Sequence, residues 1–121
     1  MERIRERKAE DIIKEFEEEG YLDNYKTIRK TEHFAVIVYW TPETKLGRLH
    51  IINGSDRTID LYIDYDWKTK EVKEADMSWA SLGTATTEDA FKFAALIKEA
   101  AELVQELNKE ETKKEINDII K

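Results

Sequence analysis

The chain has no cysteine, which excludes disulfides, thiol nucleophiles, zinc ribbons and iron–sulfur ligation. Proline occurs once and glycine four times, so there is no linker-like stretch, and no internal repeat interrupts the chain. Only His33 and His50 are present as histidines, without the His-Glu-x-x-His spacing of a zinc site. Basic side chains are in deficit: 20 Lys and Arg stand against 27 Asp and Glu, a net charge of −7. That balance disfavours direct nucleic-acid binding, which rests on clustered cations, and it favours basic partners. The start, Met1-Glu2-Arg3-Ile4-Arg5-Glu6-Arg7-Lys8, lacks the apolar core of a secretory signal. No run approaches the ~20 apolar residues that span a bilayer. The cytoplasm is the expected compartment, and no membrane partner is expected.

What is present suffices for one domain over residues 1–121, with 40% hydrophobic and 39% charged residues. Ala9, Ile12, Ile13 and Phe16 recur at helical spacing and predict a helix over 1–20. Gly20 would stop it, although Glu17, Glu18 and Glu19 oppose the helix dipole and predict fraying. From Tyr25 to Trp79 the period changes to two. Phe34, Val36, Val38 and Trp40 alternate with Ala35, Ile37 and Tyr39, so this strand is apolar on both sides and should be covered on both. Thr41 to Thr44 reads as a turn, Leu46 to Ile52 as a strand, and Asn53-Gly54-Ser55-Asp56 as another turn.

Thr58 to Trp67 alternates most cleanly. Ile59, Leu61, Ile63, Tyr65 and Trp67 should face the core, with Asp60, Tyr62, Asp64 and Asp66 facing away. A turn at Lys68-Thr69-Lys70 leads to a more polar strand ending near Trp79. The chain then enters a helix over 86–108, with Thr86 and Asp89 as capping residues. On that helix Ala90, Phe93, Ala94, Leu96, Ile97, Ala100, Ala101, Leu103, Val104 and Leu107 cover about half the circumference. Thr112 to Glu115 reads as a second capping box, opening a short helix over 112–121 with Ile116, Ile119 and Ile120 on one face. The expected fold class is α+β: an N-terminal helix, a four- or five-stranded antiparallel meander over 25–79, a long helix and a short terminal one.

The chemistry open to these residues is limited. His33 and His50 lie on neighbouring strands, where they read as ordinary strand histidines, and no metal site is assigned. Asp60, Asp64 and Asp66 share one strand face, the nearest two ~7 Å apart along the strand. They read as a solvated sheet surface, as an acidic docking face for a basic protein, or as carboxylates for acid–base work if one is buried. No serine lies in a Gly-x-Ser-x-Gly elbow, and Gly83 stands alone, so no catalytic residue is assigned. The N-terminus of the long helix offers free N–H groups, with hydroxyls from Thr84, Thr86 and Thr87. Arg48 and Arg57 could bring guanidinium forks to an anion there, and Trp79 could stack on a base. Helix capping and core packing account for the same residues. The apolar surface of Ala35, Ile37 and Tyr39, with the broad face of the long helix, predicts a homodimer unless the terminal helices cover both.

The segment from Met77 through Ser78-Trp79-Ala80-Ser81-Leu82-Gly83-Thr84 into the Ala-rich helix ending at Asn108 resembles small phage and prophage accessory proteins of Gram-positive bacteria. In build, a sheet before C-terminal helices, the chain also resembles phage anti-Thoeris signal sponges, which hold a cyclic ADP-ribose-type nucleotide without cleaving it. That resemblance implies a non-enzymatic protein, acting in the host cytoplasm, that sequesters a small anionic nucleotide without a cofactor. It points to Arg57, Leu82, Lys92 and Lys109, although the group would carry an aromatic residue in place of Leu82 and arginine in place of Lys109. The alternative expectation is an inhibitor of a host protein, as anti-CRISPR proteins are, acting through Asp60, Asp64 and Asp66.

Overall fold

A computed structural model describes residues 4–40, 47–66, 68–80, 83 and 85–120. The turn expected at Thr41–Thr44, together with Trp67, Leu82 and Thr84, lies outside the described residues. The elements are α1 (Ala9–Glu18), β1 (Asn24–Lys30), β2 (Phe34–Trp40), β3 (Arg48–Asn53), β4 (Ile59–Asp66), β5 (Glu71–Trp79), α2 (Thr87–Leu107) and α3 (Glu110–Ile120). The class is α+β, with five antiparallel strands and three helices among the described residues.

The helix expected over 1–20 begins only at Ala9. Tertiary bonds hold the segment before it extended: the Arg7 N–H donates to the Gly54 carbonyl at 2.8 Å and the Ala9 N–H to the Glu32 carbonyl at 2.9 Å. Ile4 is completely buried in the main core. Gly54 sits where this segment crosses the sheet, and a Cβ there would overlap the backbone carbonyls of Arg7 and His33.

The other end of α1 does not fray as its glutamates suggest. Gly20 adopts φ +80°, its N–H donates to the Glu17 carbonyl, and the Tyr21 N–H donates to the Phe16 carbonyl at 2.9 Å. This is the Schellman pattern, completed by an apolar contact between the Phe16 and Tyr21 rings, 6.2 Å apart and edge-on. The left-handed glycine satisfies the last carbonyls, and that outweighs the unfavourable dipole.

The strands run in meander order, but the ladder breaks once. β1, β2 and β3 form one sheet and β4 and β5 another. At the break Asp56 and Arg57 take φ of 53° and 67°. The side chains of Asn53 and Ser55 bond the Ile59 backbone: both reach its carbonyl, and the Ser55 hydroxyl also accepts its N–H at 3.1 Å. Side chains here take the place of strand-to-strand bonds.

β2 is covered on both faces, as its composition implies. Phe34, Val36 and Val38 pack into the main core with Ile59, Leu61, Leu96, Leu103 and Ile116. Ala35 and Ile37 join Ile52 and Leu22 beneath Ala9, Ile12 and Ile13 of α1. Both Ala35 and Ile37 are fully buried within the single chain, so the chain's own first helix covers this part of the apolar surface that suggested a homodimer, while Tyr39 stays partly exposed.

α2 buries a narrower face than its composition suggests. Leu96, Ala100, Leu103 and Leu107 are buried, whereas Ala90 and Ala94 are exposed. Thr112 is not a cap: α3 already starts at Glu110, and Thr112 is fully buried inside it. Its hydroxyl accepts from Arg29 Nη2 at 3.1 Å. A bulge between Thr27 and Arg29 turns Arg29 toward the helices, where it also bonds Glu106 of α2 at 3.2 Å and Glu115 of α3 at 2.9 Å. One guanidinium thus ties both C-terminal helices to β1.

Candidate functional site

Of the described residues predicted to hold an anion, Arg57 and Trp79 lie at the end of the sheet where α2 begins, and Arg48 and Lys109 do not. β3 carries Arg48 at one end, paired with Tyr39, and Asn53 at the other, paired with Phe34. Arg48 therefore lies roughly 17 Å along the strand from the Asn53 end. The N-terminus of α2 belongs to that Asn53 end: Ala80 bonds Thr58, Arg7 bonds Gly54, and Ile4 reaches Asp89. Arg57 and Trp79 are both exposed at this end. Lys109 lies beyond the C-terminus of α2, about 26 Å from Lys92 along the helix axis. It pairs with Glu106 at 2.8 Å, a contact that raises the Lys109 pKa and lowers that of Glu106. Lys92 lies 3.7 Å from Glu88.

The anion seat itself is filled by the chain. Asp89 is fully buried in the first turn of α2. Its carboxylate accepts from the Thr86 hydroxyl at 3.0 Å and from the Ile4 N–H at 3.4 Å, while Thr86 Oγ1 accepts the Asp89 N–H at 3.1 Å. The capping pair read from sequence is present, and it places the protein's own negative charge at the positive end of the helix. Two open surface depressions of about 450 and 460 Å³ lie elsewhere. The first is lined by Lys8, Glu10, Lys30, Thr31 and Glu32, the second mainly by charged residues of β5 and α3. Neither includes a predicted anion residue.

The two histidines also stand apart. His50 pairs across the sheet with Ile37 and is flanked by the rings of Phe16 and Tyr39, at 6.0 and 6.1 Å. Burial among them lowers its pKa. His33 Nδ1 lies 2.7 Å from Glu99, whose other carboxylate oxygen accepts the His33 N–H at 2.8 Å and the Thr31 hydroxyl. Burial pushes the Glu99 carboxyl up, but these bonds outweigh it and hold it below the usual carboxylate range. The group clamps the β1–β2 turn to α2. Among the described residues no three His, Asp or Glu side chains could hold a metal ion.

The outer face of β4–β5 is different in kind. The register sets Asp60 against Ser78, Tyr62 against Asp76, and Asp64 against Glu74. Directly opposed side chains in an antiparallel pair share a face, with Cβ atoms about 5 Å apart. Their inward neighbours Leu61, Ile63, Ala75 and Met77 belong to the main core or pack against it. Asp60, Asp64, Glu74 and Asp76 therefore surround Tyr62, which is 45% exposed. Among the described residues none of these four carboxylates has an ion-pair partner. Like charges placed directly opposite are unfavourable.

Asp66, grouped with Asp60 and Asp64 from sequence, has another task. Its carboxylate accepts the Lys68 and Thr69 N–H groups at 2.8 and 3.2 Å, and these bonds lower its pKa. It closes the β4–β5 turn. Glu74 and Asp76 were missed because β5 carries a bulge opposite Asp64 and Tyr65, which hides which of its polar residues face outward.

Comparison with protein-family models, curated proteins and solved structures finds no match.

Proposed function

We propose that this chain is a non-enzymatic binding protein that docks a basic protein surface through the outer face of β4–β5. The observation that carries the reading is the cross-strand cluster of Asp60, Asp64, Glu74 and Asp76 around exposed Tyr62, with no ion-pair partner for these four carboxylates among the described residues. A partner bringing Lys or Arg would relieve the repulsion between opposed carboxylates. It would also gain a tyrosine ring for a cation–π or packing contact. Sequestration of a small nucleotide fits the geometry less well, because Asp89 occupies the helix N-terminus and Arg48 and Lys109 lie far from it. The setting we propose is accessory, that of a phage or mobile-element protein blocking a host protein stoichiometrically.

The test is retention on a panel of immobilised basic proteins, measured against neutral proteins of similar size. The wild-type chain should be retained on basic members and released as salt rises past ~0.15 M. The fourfold variant D60K/D64K/E74K/D76K should not be retained. Equal retention of the variant, or no preference for basic proteins, would refute the reading.

A further inference from the structure

The outer edge of β5 is closed over part of its length and open over the rest. Asn108, the residue after α2, bonds Ala75 twice: its side-chain oxygen accepts the Ala75 N–H at 2.7 Å, and its NH₂ donates to the Ala75 carbonyl at 3.0 Å. Asn117 of α3 accepts the Val72 N–H at 2.8 Å. The two amides stand in for a neighbouring strand. They also fix the direction of every other backbone group. If Ala75 points away from β4, then so do Met77 and Trp79, two and four residues on. The bond from the Ala80 N–H to the Thr58 carbonyl, 2.9 Å, agrees with that alternation.

Among the described residues nothing bonds the outward N–H and C=O groups of Met77 and Trp79. The stretch lacks the usual protection of a free edge, having no Lys, Arg or Pro from Ala75 to Trp79. The edge strand β1, by contrast, carries Lys26, Arg29 and Lys30. Beside the open stretch lie two different surfaces. Asp76 and Ser78 face the acidic side, while Trp79, 60% exposed, follows Met77 on the helix side.

We propose that the basic partner of the acidic face binds as an extended strand added to β5 at Met77 and Trp79, an inference that rests on the function proposed above. Backbone bonds to these two residues align the strand. Its alternate side chains then fall beside Asp76 on one face, where Lys or Arg is favoured, and beside Met77 and Trp79 on the other, where apolar groups are favoured. The ligand class is a peptide segment alternating basic and apolar residues.

The probe is a hexapeptide alternating lysine and valine, compared with one in which proline replaces every valine. Charge is the same, but the second peptide cannot form the ladder. With the first peptide at saturation, hydrogen exchange at the Met77 and Trp79 amides of the wild-type chain should slow at least about tenfold, and the proline peptide should bind about tenfold more weakly. Trp79→Pro should weaken the valine peptide by a similar factor, about tenfold. Equal binding of both peptides without protection of the two amides would overturn strand addition and leave the acidic-face reading standing. Protection of those amides by concentrated protein alone would assign the edge to self-association and overturn the proposal. No binding of either peptide, with no retention on basic proteins, would overturn both.

Discussion

β2 and β4 are both regularly alternating strands, but the chain treats their outer faces in opposite ways. Behind β2, α1 brings Ala9, Ile12 and Ile13 down on Ala35, Ile37 and Ile52, and a second apolar core forms. Behind β4 the described residues supply no helix, and the face carries Asp60, Tyr62 and Asp64 opposite Ser78, Asp76 and Glu74. A sheet with a solvated face needs polar residues there, but it does not need four unpaired acids at adjacent positions. Lysines are available in the sequence to neutralise such acids, as Lys30 of β1 does for Glu10 of α1 at 3.1 Å. The first sheet is built for stability on both sides, and the second gives up some stability on one side.

That contrast can be broken or sharpened by substitution, beginning with the largest effect. Phe34→Ala, in the fully buried row of β2, should cost about 3–5 kcal/mol in chemical denaturation. Tyr62→Ala on the open face should change stability by no more than about 0.5 kcal/mol; similar losses would erase the distinction between the sheets. Asn108→Ala strands the Ala75 N–H and carbonyl and should cost about 1–3 kcal/mol. A smaller loss would mean that water replaces the amide at that edge.

Acidification should weaken the clamp that Glu99 makes. Glu99 has its pKa depressed by the bonds from His33 and Thr31 against the effect of burial. It therefore stabilises the fold above the ordinary glutamate value of about 4.3, and that contribution fades as pH falls from there through the native value. Glu99→Gln should flatten this part of the stability–pH curve, and an unchanged curve would remove Glu99 from the account. The smallest effect has the opposite sign. Asp64→Lys places a cation across from Glu74 and should raise stability by about 0.2–1 kcal/mol.

Much of this layout is legible in the residues. Period-two alternation assigns both faces of β2 and β4, and Thr86 with Asp89 marks the start of α2, because these signals are local. The segment before Ala9 is held extended by Gly54, Glu32 and Asp89, partners 23 to 85 positions away, which no helical spacing can report. The Schellman close at Gly20 depends on a backbone angle that outweighs three glutamates. Half of the acidic face was readable from Asp60 and Asp64. The other half depends on the bulge in β5, and the spacing of Asp66 does not report its bonds to the Lys68 and Thr69 N–H groups of the next turn. Of the apolar area that suggested a homodimer, Ala35 and Ile37 are taken by α1, one of the terminal helices that the sequence offered as cover.

The most direct measurement follows the fourfold variant D60K/D64K/E74K/D76K in two assays at once, denaturation and retention on basic proteins. The variant keeps like charges opposed at positions 64 and 74, so its stability should stay within about 1 kcal/mol of the wild-type chain, and it should lose retention entirely. A variant that is less stable, yet still held by basic proteins, would contradict the assignment of this face to binding.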